Sequence, residues 1–75
     1  MNNLFDCNKK CKVRVVKLNA DRDLKQRLIS FGIMKEALIE VLEHAPAKST
    51  IEIKVGKMRI ALRAEEAQLI EVEKI

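Results

Sequence analysis

Apolar and polar residues alternate along much of this chain, which is the pattern of strands that bury one face. The alternation is clearest in residues 51–55 and 58–63, where every second residue is large and apolar. Gly56 and Lys57 separate these segments, and a glycine at the first position of a two-residue loop favours a type II′ turn. The two segments therefore predict a β-hairpin.

Three further segments predict strands. Residues 13–18 are rich in β-branched side chains, but their alternation slips at Val15 and Val16, as a β-bulge or a strand buried on both faces would produce. Residues 37–43 alternate imperfectly, and residues 70–72 supply a short last strand. These segments bring the predicted number of strands to five.

One short amphipathic helix follows the first predicted strand. Polar and acidic residues at 19–23 suit a helix N-terminus, and the apolar positions then recur at spacings of four and three, at Leu24, Leu28 and Phe31. Gly32 is placed to end the helix in a left-handed conformation, and Ile33 can fold back onto the last turn. Residues 64–68 are good helix formers and predict one further helical turn.

These elements predict a mainly β fold. Five short strands avoid exposed edges by curling into a small barrel, with one helix after the first strand and a helical turn before the last. Residues 44–49 contain the one proline and predict a loop. With 75 residues, the chain has room for a single domain, residues 1–75, whose core we expect within about residues 4–72.

Composition narrows the classes of function. The net charge of +4 permits an acidic partner, but with only Phe5 and Phe31 as aromatic residues the chain has few platforms for stacking bases, so nucleic-acid binding is not expected. No apolar run approaches the roughly 18 residues that span a bilayer, and the first residues do not resemble a signal peptide. We therefore expect a cytoplasmic protein that does not insert into the membrane.

Two blocks of the sequence resemble one known family. Residues 56–67 carry a hairpin glycine followed by Ile-Ala-Leu-Arg and Glu-Ala, and residues 24–33 contain Arg-Leu followed by Gly-Ile at the helix end. Both blocks are similar to the FeoA family, and the resemblance runs from about Leu4 to Val72. It implies a Src homology 3-like β-barrel, in agreement with the strand order.

The chain departs from the family pattern at two positions. Glycines that family members usually carry are replaced by Glu36, after the helix, and by Lys10, before the first strand. Because glycine tolerates backbone conformations that other residues avoid, we expect the turn into the second strand to differ in backbone geometry.

The resemblance implies a non-enzymatic accessory protein of bacterial ferrous iron uptake. Such a protein would bind and modulate the cytoplasmic part of the FeoB transporter. The sequence carries no motif for a nucleophile with its base and no glycine-rich phosphate loop, in keeping with this reading. The alternative is a metal-binding or metal-sensing module, because the family's barrel is similar to the C-terminal domain of iron-dependent repressors. A homodimer is compatible with either.

Cys7, Cys11 and His44 are the candidate metal ligands. Two thiols and an imidazole are ligands for Zn²⁺ or Fe²⁺, but the cysteine spacing is longer than Cys-x-x-Cys and a second cysteine pair is absent. We therefore predict no firm metal site and no required cofactor, with weak Fe²⁺ or Zn²⁺ binding as the alternative. In this interpretation Cys7 is a buried structural thiol, Cys11 is exposed, and His44 is a surface residue of the loop.

The hairpin carries the candidate partner-binding residues Lys54, Lys57, Arg59 and Arg63. They are interpreted either as a docking surface for an acidic partner or as the solvated exterior of the barrel. Basic side chains on the outward face of a strand are common in either case.

Overall fold

The structure, a computed structural model, describes residues 2–45 and 49–75. Its strands are β1 (Asn2–Asn3), β2 (Lys12–Leu18), β3 (Leu38–His44), β4 (Thr50–Val55), β5 (Met58–Arg63) and β6 (Ile70–Lys74). Its helices are α1 (Arg22–Ser30) and α2 (Ala64–Ala67), and a 3₁₀ turn spans Leu4–Asp6. The middle of the loop predicted at residues 44–49 lies outside the described residues.

The strands form one antiparallel sheet in the order β1-β6-β2-β3-β4-β5. All five predicted strands are present as β2 to β6, and the predicted mainly β architecture is confirmed. The sequence pattern missed β1, whose two residues pair with the middle of β6. Within the described strands β1 and β5 are the two edges, so hydrogen bonds do not close the sheet into a complete ring.

Two β-bulges bend the sheet. The register between β2 and β6 shifts between Val15 and Lys17, which confirms the slip predicted from the sequence. A second shift lies between Val41 and Glu43, in the pairing of β3 with β4. A bulge increases the local twist, so both help the strands wrap around one core.

The inward side chains of the strands, the 3₁₀ turn and α1 form a single apolar cluster. Its largest fully buried members are Leu4, Val13, Val15, Leu28, Ile33, Ile39, Val41, Ile51, Ile53, Ile70 and Val72, and Ala67 of α2 is buried with them. No polar or charged side chain is buried among the described residues. Met58 is 49% exposed although it shares the phase of Ile60 and Leu62, because it directly follows the turn at the start of an edge strand.

Both ends of α1 form as the sequence predicts. The Asp21 side chain caps the helix by accepting a hydrogen bond from a backbone N–H of the first turn at 2.9 Å. At the other end the N–H groups of Gly32 and Ile33 donate to the carbonyls of Ile29 and Leu28, each at 2.9 Å. These two bonds form a Schellman motif, which turns the chain back toward the core.

Lys10 and Glu36 adopt the backbone conformation that usually belongs to glycine. Their φ angles are +69° and +76°, and among the described residues they are the non-glycine residues with positive φ. The expectation that the turn at Glu36 would change its geometry was therefore wrong. The left-handed turn persists with a side chain in it, at a cost of roughly 1 kcal/mol for an L-residue.

The hairpin turn agrees with its prediction. Val55 pairs with Met58, which leaves Gly56 and Lys57 as a two-residue loop. Gly56 has a φ of +61° and Lys57 does not have a positive φ. A positive φ at the first loop position alone is the signature of a type II′ turn.

Candidate functional site

Cys7 and Cys11 lie on the segment that connects the 3₁₀ turn to β2. The backbone N–H of Cys7 donates to the carbonyl of Leu4 at 3.2 Å, and the residue is only 9% exposed. Its thiol lies 3.7 Å from the carbonyl oxygen of Asn3. The prediction of a buried Cys7 is confirmed, whereas Cys11 is half-buried and not simply exposed.

Burial makes the Cys7 thiol a weak acid. The pKa of this thiol is raised from 9.0 to about 11, and loss of solvent is the largest cause. The neighbouring Cys11 thiol and the Asp6 carboxylate also raise the pKa, and the Lys74 ammonium lowers it. Because the thiolate is the form that binds metals and attacks electrophiles, Cys7 is protonated and unreactive near neutral pH.

His44 lies at the end of β3, not in the loop where the sequence placed it. Its Nε2–H donates a hydrogen bond to the carbonyl oxygen of Cys7 at 2.8 Å. The ring also packs edge-on against Phe5, with the ring centroids 5.2 Å apart. His44 therefore joins the N-terminal segment to the sheet.

The structure does not bring the three candidate metal ligands together in one group. Within residues 2–45 and 49–75, no three side chains of His, Cys, Asp and Glu are grouped closely enough to hold one ion. The Nε2 atom of His44 is engaged with a backbone carbonyl, and Cys7 holds its proton firmly. The arrangement fits a structural role for these residues.

The four basic residues of the hairpin share its outer surface. All four are exposed. Lys54 and Arg59 pair directly across the two strands. Arg63 is the last residue of β5, and Lys57 lies in the turn. The guanidinium of Arg59 donates to the carboxylate of Glu52 at 3.1 Å, which offsets part of the positive charge. The remaining charge gives the hairpin a positive outer face.

Comparison with known protein families identifies the family of this chain. The family model described as the FeoA domain matches residues 2–74. The chain belongs to the FeoA family. A relative named Fe(2+) transport protein A, from Campylobacter jejuni, is 36% identical over 64 residues, which cover 85% of this chain and 86% of the relative.

Solved FeoA structures share the fold. The solution structure of a FeoA protein from Chlorobium tepidum matches 99% of this chain and 70% of its own, with a TM-score of 0.93 and 26% identity. A crystal structure of an iron uptake regulatory protein (FeoA) matches 97% of this chain and 94% of its own, with a TM-score of 0.86 and 32% identity. The predicted Src homology 3-like fold is confirmed.

Metal-dependent repressors contain a domain of the same fold. A manganese-dependent transcriptional repressor matches 97% of this FeoA chain with a TM-score of 0.89 and 22% identity, which shows the fold alone. ScaR, solved with bound Zn²⁺, matches the same share with a TM-score of 0.86 and 25% identity, and the match covers 36% of ScaR. The likeness is thus to one part of each repressor.

The sequence pattern did not reveal two exposed apolar side chains, one in the last turn of α1 and one just after the helix. Ile29 is 40% exposed and Met34 is 42% exposed, and both line one groove. Ile29 lies outside the apolar stripe that predicted the helix. An apolar residue away from that stripe is the signal by which the sequence could have revealed this exposed position.

Neither helix among the described residues has the length and apolar character needed to cross a bilayer.

Proposed function

We propose that this FeoA-family chain is a non-enzymatic accessory protein of ferrous iron uptake, which binds and modulates the cytoplasmic part of the FeoB transporter. The observation that carries the proposal is the family match over residues 2–74, together with relatives named Fe(2+) transport protein A. The chain would act on the cytoplasmic side of the membrane, where that part of the transporter lies.

The mechanism is recognition without chemistry. The interior of the domain is filled by apolar side chains, and in the part of the chain that the structure describes the one buried titratable group is the Cys7 thiol. A preformed barrel with a fixed surface loses little conformational freedom on binding, so a few anchoring side chains can set the affinity. The function therefore depends on the surface of the domain.

The positive outer face of the hairpin supports an acidic partner. Lys54, Lys57 and Arg63 make no ion pair with another side chain among the described residues, so their charge is available to attract a partner. Exposed charges at an interface mainly raise the rate of association, and this effect weakens as salt is added. We assign the hairpin this steering role.

Direct binding tests the proposal. Biolayer interferometry with the immobilised cytoplasmic domain of the transporter, in nucleotide-free, GDP-bound and GTP-analogue-bound forms, should give saturable binding of the wild-type chain in at least one state. Lys54→Glu with Lys57→Glu should slow association about tenfold at low salt and have less effect at high salt. A complete absence of binding in all three states would overturn the proposal.

A metal-responsive module is the second candidate function. The fold likeness to ScaR with bound Zn²⁺ and the adjacency of Cys7 to Cys11 favour it. Since the described residues of one chain do not group three ligands, such a site would need thiols from two copies. A dimer that forms only with added Zn²⁺ or Fe²⁺, seen by sedimentation velocity, would support this function over the first.

A further inference from the structure

An apolar groove runs between α1 and the end of β2. Its floor is formed by Val16, Leu18, Ile29 and Met34, and its volume is about 570 Å³. Ile29 and Met34 are 40% and 42% exposed, so the groove presents large apolar side chains to solvent. Isolated exposed apolar residues are common on protein surfaces, but two in one groove form a site that can bind an apolar side chain.

The groove follows from the way α1 ends. Leu28 faces the core and is fully buried, so its neighbour Ile29 must face outward on the helix. The Schellman motif then reverses the chain at Gly32 and buries Ile33. Met34, the next residue, also faces outward, and it lies in the same groove as Ile29. Ile29 is thus presented by the last turn of α1, and Met34 by the connection to β3 directly after the Schellman motif.

Three lysines rim this groove. Lys17, Lys25 and Lys35 line it and are exposed, and no acidic side chain of the described ranges 2–45 and 49–75 lines it. In addition, none of the three forms an ion pair with another side chain among the described residues. An apolar floor with a rim of one charge sign selects for an occupant of the opposite sign.

A second groove lacks this selectivity. Leu38 and Ile75 are 61% and 71% exposed and share a cavity of about 270 Å³, but its rim combines Lys12 and Lys54 with Glu40. A rim of both signs favours no particular charge on the occupant. The groove beside α1 is the larger of the two and has one charge sign.

We propose that the groove beside α1 binds an acidic segment of a partner protein. A large apolar side chain of that segment lies between Ile29 and Met34, and its flanking carboxylates face the lysine rim. The inference rests on the proposed function, because it takes the transporter's cytoplasmic domain as the partner. It adds the anchoring surface, which is separate from the hairpin.

The test compares groove variants with matched controls on the same immobilised transporter domain. Met34→Gln removes an anchor, and Leu38→Gln is its control because Leu38 is also a large exposed apolar residue but lies outside the groove and the hairpin. Lys17→Glu with Lys35→Glu reverses the rim, and Lys12→Glu with Lys74→Glu makes the same change in net charge elsewhere. Circular dichroism checks that every variant is folded.

We expect Met34→Gln to weaken binding about fivefold or more and the rim reversal about tenfold or more, since anchors and their charged surroundings dominate interface affinity. Both controls should stay within about twofold of wild type. Loss of affinity in Met34→Gln should appear mainly as faster dissociation.

Three results would overturn the inference. If the wild-type chain binds and the groove variants bind equally well, the groove is not the anchor, while the proposed function stands. If the groove variants change only the self-association of the free chain in sedimentation velocity, the groove is an interface between copies. If the wild-type chain does not bind the transporter domain in any nucleotide state, the proposed function fails and this inference fails with it.

Discussion

The guanidinium of Arg27 in α1 donates a hydrogen bond to the carboxylate of Glu66 in α2. The second oxygen of Glu66 accepts the backbone N–H of Arg63 at 3.0 Å, which caps α2. Arg27 and Glu66 belong to the two separate sequence blocks that resemble the FeoA family. The two blocks therefore meet in space, and one carboxylate joins them.

The first prediction concerns this carboxylate. Because Glu66 is only 15% exposed and serves both the cap and Arg27, Glu66→Ala should lower the free energy of unfolding by about 1–2 kcal/mol. Arg27 is 56% exposed, so Arg27→Ala should cost less, about 0.5 kcal/mol. Urea unfolding of both variants measures the difference. Equal losses would contradict the dual role of Glu66.

The second prediction concerns the strained turn at Glu36. Glu36→Gly should leave the free energy of unfolding unchanged or raise it by up to about 1 kcal/mol, because relief of the positive φ outweighs the added flexibility of the unfolded chain. Lys35→Gly, one residue earlier and without positive φ, should instead destabilise by about 0.5–1 kcal/mol. The account of this turn is wrong if Glu36→Gly destabilises as much as Lys35→Gly.

The third prediction uses the raised pKa of Cys7. Below pH 9 the thiol is neutral in both the folded and the unfolded chain, so its contribution to stability does not change with pH. Between pH 9 and about 11 the unfolded chain releases this proton and the folded chain retains it, so stability is lost as pH rises.

The measurement is urea unfolding under reducing conditions at pH 8 and pH 10.5. Between these values wild type should lose on the order of 2 kcal/mol more than Cys7→Ala, which cannot release the proton. The Cys7→Ala variant also corrects for every other effect of pH on stability over this range. An identical pH dependence for the two proteins would show that the Cys7 thiol is not protected by burial.

The fourth prediction concerns metal binding by one chain. Calorimetric titration of the reduced protein with Zn²⁺ and Fe²⁺, without oxygen and at neutral pH, should show no tight stoichiometric binding, because the described part of one chain does not group three ligand side chains and His44 is engaged with a backbone carbonyl. Cys7→Ser and Cys11→Ser are the controls. Tight binding that either variant abolishes would favour the metal-responsive function.

Local signals allowed most of the fold to be predicted from the sequence. The hairpin turn at Gly56, the helix end at Gly32 and the bulge after Val15 each depend on residues that are close together in the chain. By contrast, β1 has two residues and pairs with β6, near the other end of the chain. A pairing so short and so distant leaves no periodic pattern to detect.

The candidate site was less predictable because it depends on contacts between distant residues. The hydrogen bond from His44 to the carbonyl of Cys7 involves a backbone atom, which no residue pattern can reveal. The groove needs Val16 from one strand beside Ile29 from the helix end and Met34 from the connection that follows the helix. Exposure of the basic hairpin residues was predictable, because alternation fixes the outward face of each strand.

Ferrous iron uptake by living cells tests the central claim most directly. Uptake of radiolabelled Fe²⁺ would be measured in a bacterium that retains its ferrous iron transporter but lacks this chain, with the wild type or the Met34→Gln variant supplied in trans. The account predicts a several-fold loss of uptake without the chain, full recovery with wild type and partial recovery with Met34→Gln. Unchanged uptake in cells that lack the chain would contradict a role in ferrous iron transport.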